Sequence, residues 1–187
     1  MKYLVCGLGN IGPEYAGTRH NIGFMMADAL AAEAEATFTS DRYAFVTHLR
    51  YKGKLITLIK PTTYMNLSGK AVRYWLEKEK IPLDHLLVLS DDLDLPFGSL
   101  RLKPRGSGGS HNGLNNIIYT LENDNFARLR FGIGNNYPRG QQVDFVLGQF
   151  TEEERATILE KVKTTSEIIK SFATQGIDRT MNMYNKK

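Results

Sequence analysis

Apolar positions along this chain follow two alternating rhythms. Short continuous runs mark buried strands, and spacings of three and four residues mark helices. Residues 3–8 form the first run, and a glycine-rich loop follows, Gly7–Gly17. A helix dense in alanine and methionine is predicted from about Asn21 to Ala36. Tyr43–Tyr51 and Lys54–Lys60 read as paired strands turning at Lys52-Gly53. Met65–Lys80 reads as a helix with Val72, Trp75 and Leu76 on one face, and Leu86–Leu89 as a short buried strand. Pro96 and Gly98 punctuate the turn into strand Ser99–Lys103. After the loop Gly106–Gly113, Leu114, Ile117, Ile118 and Leu121 recur at helical spacing, and Arg128–Gly134 is another strand. The last long helix opens at Thr151, with Glu154 completing a capping box. Its stripe of Ile158, Val162, Ile169 and Phe172 runs nearly to Gly176. Strands and helices interleave without repeats or a linker. The pattern predicts an α/β fold: one domain over residues 1–187, with a twisted mixed β-sheet flanked by helices.

Composition narrows the class. Of 187 residues, 42% are hydrophobic and 24% charged, a balance that supports a packed core and argues against disorder. No window approaches the ~20 apolar residues needed to span a bilayer, and the start lacks a signal-peptide layout. The single cysteine, Cys6, lies inside an apolar run and reads as a buried thiol in a reducing compartment, so a cytoplasmic location is expected. A net charge of +4 only weakly suggests nucleic acid. The placement of charge says more. Arg101, Lys103 and Arg105 alternate, which on a strand puts them on one face, either a solvated face or a grip for an anion.

Gly7-Leu8-Gly9-Asn10-Ile11-Gly12 matches the dinucleotide fingerprint G-x-G-x-x-G after a strand. That motif requires its last glycines to open a helix whose N-terminus holds pyrophosphate. Here Pro13–Gly17 continues the loop, and the acidic residues ~20 positions on fall in helical sequence rather than at a strand end. Nucleotide binding is rejected. The glycines instead suit a bent loop that presents Asn10 to a cleft.

Four histidines are present, and none makes the i, i+4 pair of a helical zinc site. No metal is expected. His48 and His85 read as surface residues, whereas His20 sits where the glycine loop meets a helix. Asp91 and Asp92 follow the run Leu86–Leu89, the usual place for a site in α/β folds, although a solvated turn also suits them. An aspartate there could orient a histidine. Asn66 and Asn112 could be helix N-caps, or uncharged groups holding a carbonyl, water or oxyanion. Neither a G-x-S-x-G elbow nor an activated cysteine is present. A histidine, a carboxylate and amides without a nucleophile suit direct attack by water on an activated ester.

These residues fall into six ordered blocks: Gly7-Leu8-Gly9-Asn10; Tyr15 with Thr18-Arg19-His20-Asn21; Lys60–Gly69; Asp91–Pro96; His111-Asn112-Gly113-Leu114; and Arg130–Gly134. In order and spacing they resemble bacterial peptidyl-tRNA hydrolase. The resemblance implies a monomeric, cofactor-free enzyme that hydrolyses the ester between a peptide and the terminal ribose of tRNA. It further implies His20 as general base, Asp91 as its orienting partner, and Asn10 and Asn66 holding the peptide ester and water. Asn112 would help bind substrate and position that water. Tyr15 and Met65 would line the cleft, with His111 among the substrate-binding residues. Arg101, Lys103 and Arg130 would grip tRNA phosphate. Ile11 stands where the family commonly has proline, and Ser110 where glycine is usual. The competing readings are a catalytically silent RNA-binding relative and a hydrolase acting on another acyl ester or aminoacyl-tRNA.

Overall fold

The structure, a computed structural model, describes residues 1–185. Seven strands form one sheet in the order β2-β3-β4-β1-β5-β7-β6. They are β1 (Lys2–Gly7), β2 (Thr39–Asp41), β3 (Ala44–Tyr51), β4 (Lys54–Pro61), β5 (Leu86–Asp92), β6 (Leu100–Lys103) and β7 (Ala127–Gly132). The central strands β4, β1, β5 and β7 run parallel, and β2, β3 and β6 are antiparallel to their neighbours. The helices are α1 (Ile22–Glu33), α2 (Ser68–Lys78), α3 (Asn112–Leu121), α4 (Gln142–Val146), α5 (Glu152–Gln175) and α6 (Ile177–Tyr184).

Both faces of the sheet are covered, which is why its central strands are apolar without alternation. Tyr3 and Val5 of β1 and Leu87 and Leu89 of β5 pack with Met26 and Leu30 of α1 and with Ile158, Ile169 and Phe172 of α5. Leu4, Cys6, Leu86 and Val88 point the other way, onto Val72 and Trp75 of α2 and Leu114 and Ile117 of α3. Cys6 is fully buried, and burial pushes its thiol pKa upward, so it is inert.

The predicted turn and cap are both present. Lys52 and Gly53 both have positive φ, the geometry of a two-residue hairpin turn. Thr151 and Glu154 form the reciprocal capping box. Three elements were not predicted: β2 is short and wholly exposed, α4 has only five residues, and α6 follows α5 after a single glycine, Gly176. Gly7 and Gly23 mark where α1 meets β1. A Cβ on Gly7 would lie 2.3 Å from the Gly23 carbonyl oxygen, and one on Gly23 would lie 2.5 Å from the Leu8 nitrogen. The first glycine of the rejected fingerprint thus serves close helix–strand packing rather than phosphate contact. No helix among the described residues is long and apolar enough to cross a membrane.

Candidate active site

The carboxyl ends of β1, β4 and β5 converge, as α/β topology favours for a ligand site. β5 extends past its apolar run to include Asp91 and Asp92, both buried. This rules out the solvated-turn reading. The loop after β1 carries Asn10, and the 3-10 turn Arg19–Asn21 before α1 carries His20. The segment after β4 carries Met65 and Asn66, and the N-terminus of α3 carries His111 and Asn112. Together these line a cavity of about 420 Å³ that also contains Tyr15, Asp91 and Arg130. Nine of the eleven residues given a role from the sequence meet there. Arg101 and Lys103 lie apart, exposed on β6.

One carboxylate serves two imidazoles. The His20 Nδ1 is 2.9 Å from Asp91 Oδ2 and 3.0 Å from Oδ1, and the His111 Nε2 is 2.8 Å from Oδ1. The His111 Nδ1 accepts the Leu114 backbone N–H at 3.2 Å, as the N-cap of α3. Its proton is therefore on Nε2, donated to Asp91. His20 likewise donates from Nδ1, which leaves Nε2 as the lone-pair nitrogen. Both tautomers are assigned from the hydrogen-bond network. Burial raises the pKa of Asp91, but the two imidazoles, by charge and by hydrogen bond, outweigh it and hold the carboxyl well below the usual range.

Asn10 is fixed by amides. Its side-chain oxygen accepts the Met65 N–H at 2.7 Å, its backbone N–H donates to Asn21 Oδ1 at 2.8 Å, and its carbonyl accepts from Asn21 Nδ2 at 2.9 Å. With the oxygen occupied, the Asn10 NH2 group is what remains for a ligand. Tyr64, just before Met65, is held at φ 62°, ψ 158°. For a side chain larger than glycine, such strain costs ~1–3 kcal/mol and persists only where the surroundings impose it. Gly113 leaves room for the Met65 side chain: a Cβ there would lie 2.6 Å from Met65 Sδ.

Neither asparagine first weighed as a cap is one. Asn66 is exposed in its 3-10 turn, and α3 is capped by His111, leaving Asn112 exposed at its first turn. Their uncommitted amides border the cavity.

The basic strand has a broader setting than its sequence showed. Arg101 pairs in register with Arg130, and Lys103 with Arg128. Cross-strand partners share a face, so four cations occupy one side of the β6–β7 edge. Arg130 is held by Asp92 at 2.6 Å. Arg128 is fully buried, with its guanidinium on the carbonyls of Gly106, Asp124 and Phe126, and burial together with the Arg130 charge lowers its pKa to about 10.

Sequence reading missed the roles of Asn21, Asp92 and α4. Asn21 was visible only as part of a block. The α4 residues Val143, Val146 and Leu147 border the cavity, and Arg19 ties this helix to the His20 turn through the Phe145 carbonyl at 3.2 Å. The donor atoms of His20, Asp91 and His111 all lie within 4.8 Å, the one set among the described residues compact enough to hold a metal. The nitrogens nearest the carboxylate are the protonated ones in the assigned tautomers, so a metal there would have to displace two hydrogen bonds.

A family model described as peptidyl-tRNA hydrolase matches residues 4–187. The chain is 60% identical to the peptidyl-tRNA hydrolase of Bacteroides fragilis over 187 residues, covering 100% of both. It is 56% identical to that of Porphyromonas gingivalis over 185 residues, 99% of this chain and 100% of the relative. The crystal structure of peptidyl-tRNA hydrolase from Acinetobacter baumannii superposes with a TM-score of 0.92 at 33% identity, covering 98% of this chain and 94% of that one. With the blocks, the fold and these matches in agreement, the chain belongs to the peptidyl-tRNA hydrolase family.

Proposed function

We propose that this chain hydrolyses the ester between the peptide and the terminal ribose of peptidyl-tRNA, with His20 as the base. The observation that carries this reading is the His20–Asp91 pair, whose Nδ1 contact of 2.9 Å leaves the opposite ring nitrogen for a water in the same cavity as Asn10. Nε2 takes a proton as the water oxygen bonds to the ester carbonyl carbon. The Asn10 NH2 group donates to the oxyanion. The imidazolium then returns the proton to the ribose oxygen as the C–O bond breaks, freeing peptide acid and tRNA. Asp91 stabilises the imidazolium and fixes its tautomer, as aspartates do in other acid–base pairs.

Asn66 and Asn112 hold the peptide ester and water with their free amides. Tyr15 and Met65 line the peptide path, and His111 braces Asp91. Arg101, Lys103 and Arg130 contact phosphate, adding an anion to an edge where the Asp92 carboxylate alone faces several like charges. A monomeric state is carried over from the family resemblance, and a cytoplasmic setting from the buried thiol of Cys6. The catalytically silent alternative finds no support, because every polar group the reaction needs is present.

The test is to incubate the purified chain with N-acetylaminoacyl-tRNA, free aminoacyl-tRNA and a simple ester, and follow release. Release from the first alone is expected, and His20→Ala should slow it ~10²–10⁴-fold with tRNA affinity near normal. Unchanged turnover in His20→Ala would overturn the assignment.

A further inference from the structure

β6 is the last strand of the sheet, paired with β7 on one side only. Among the described residues, the Asn185 side chain pairs with its outer edge at Leu102. The Leu102 N–H donates to Asn185 Oδ1 at 2.9 Å, and Asn185 Nδ2 donates to the Leu102 carbonyl at 2.8 Å. A primary amide, with donor and acceptor side by side, thus pairs with the strand as a neighbouring backbone would. Asn185 is placed by the end of α6, its backbone N–H on the Met181 carbonyl at 2.9 Å. The same residue holds a cation, because Arg101 Nη1 donates to the Asn185 carbonyl oxygen at 3.0 Å. A guanidinium is favourable against the negative end of a helix. It has five N–H groups, so one bond to a neutral oxygen leaves the others for solvent or a ligand.

We propose that Asn185 is a positioning residue for tRNA, presetting Arg101 for phosphate by anchoring both its strand and its guanidinium. This rests on the reading above that Arg101 grips phosphate. Arg130, its cross-strand neighbour, is tethered by Asp92 at 2.6 Å, so the two facing arginines are each held by an oxygen. A long side chain that is already ordered loses less freedom on binding. An unanchored one costs ~0.5–1.5 kcal/mol to immobilise, a factor of about 2 to 12 in affinity. In this arrangement the C-terminal helix belongs to the tRNA surface although none of its side chains need touch tRNA.

The full chain and its Asn185→Ala, Arg101→Gln and double variants are compared. Deacylated tRNA binding is measured from low to moderate salt, and turnover is measured on N-acetylaminoacyl-tRNA and on an N-acetylaminoacyl ester of adenosine. Asn185→Ala keeps the carbonyl that Arg101 contacts but removes the two bonds to Leu102 that hold it in place, and is expected to weaken tRNA binding about 2- to 12-fold as Arg101 loses its fixed anchor. The salt slope should hold, because the phosphate contact still forms. Turnover of the adenosine ester should be unchanged. Arg101→Gln is expected to weaken binding and flatten the slope by up to ~0.7–0.9. The double variant should match Arg101→Gln within about twofold, because Asn185 acts through that arginine. Additive losses, a silent Asn185→Ala, or an equal fall with the adenosine ester would overturn the inference while leaving Arg101 as a phosphate contact. If Arg101→Gln alone keeps normal affinity and slope, the reading of Arg101 itself is overturned and the inference falls with it.

Discussion

Asp91→Asn is the most informative single substitution, because the surrounding bonds dictate which way the new amide must face. The carboxylate accepts three contacts: His111 Nε2 at 2.8 Å and His20 Nδ1 at 3.0 Å on Oδ1, and His20 Nδ1 at 2.9 Å on Oδ2. His111 cannot adapt, because its Nδ1 is committed to the Leu114 N–H at 3.2 Å and its Nε2 must therefore donate. The amide oxygen has to take the Oδ1 position, which puts the NH2 group at the Oδ2 position against His20. There, at 2.9 Å, it meets the His20 Nδ1–H donor against donor, and the oxygen that Nδ1 also faces at 3.0 Å is shared with His111. His20 relieves the clash by moving its proton to Nε2, the nitrogen that should accept from water. The variant keeps its shape and loses its base. The corresponding wrong-tautomer substitution in a serine protease triad costs ~10⁴ in kcat, and a positioned base is generally worth ~10²–10⁴. Single-turnover hydrolysis of N-acetylaminoacyl-tRNA should therefore fall ~10²–10⁴-fold with tRNA affinity unchanged. Adding His111→Phe frees the amide to flip its oxygen toward His20 and should recover part of the loss. If Asp91→Asn retains more than about a tenth of parental turnover, the tautomer argument is wrong, since that lies well short of the smallest loss expected.

Three further outcomes follow from the same geometry. Asn21→Ala removes both bonds that fix the Asn10 backbone, each worth ~0.5–1.5 kcal/mol. It should lower kcat and the urea midpoint together, and a normal kcat would show that Asn10 needs no bracing. Tyr64→Gly relieves backbone strain of ~1–3 kcal/mol. Calorimetry should show a raised Tm while turnover drops, because the Met65 N–H is less firmly held on Asn10; a lowered Tm would refute the strain. The Asp91 carboxyl titrates below its unfolded value of ~3.9, so the unfolded chain binds more protons and stability rises with pH there. That stabilisation is present above about pH 4 and is lost as pH falls below it. Acid unfolding followed by circular dichroism should therefore be less steep in Asp91→Asn, and an identical profile would contradict the depressed value.

Much of the fold was legible because its signals are local. The apolar runs of β1 and β5 needed no partner to be recognised, and the Thr151–Glu154 box marked the start of α5 to the residue. What escaped depends on distant contacts. β2 is only three exposed residues, a strand because β3 pairs with it. α4 is five residues docked through Arg19, too short to carry a period. The site divides in the same way. Asn10, His20 and Asp91 could be named from residue type and position, but the sharing of Asp91 with His111 links residues twenty apart, and the bracing of Asn10 links it to Asn21 and Met65. Asn66 and Asn112 looked equally like caps, and only His111 taking that role freed Asn112.

The brace on Asn10 has a consequence for how the enzyme meets changing conditions. Its three bonds join Asn10 to two partners, the side chain of Asn21 and the N–H of Met65, and every group in them is an amide. None gains or loses a proton in the working range, and none bears a charge for salt to screen. The Asn10 amide, the oxyanion donor of the proposed mechanism, therefore keeps one aim whatever the acidity or ionic strength. On the proposed mechanism, acidity would act through the base and its carboxylate partner, and salt through the arginines and lysine of the β6–β7 edge. A shift in kcat with pH and a shift in KM with salt should thus report on separate parts of the molecule.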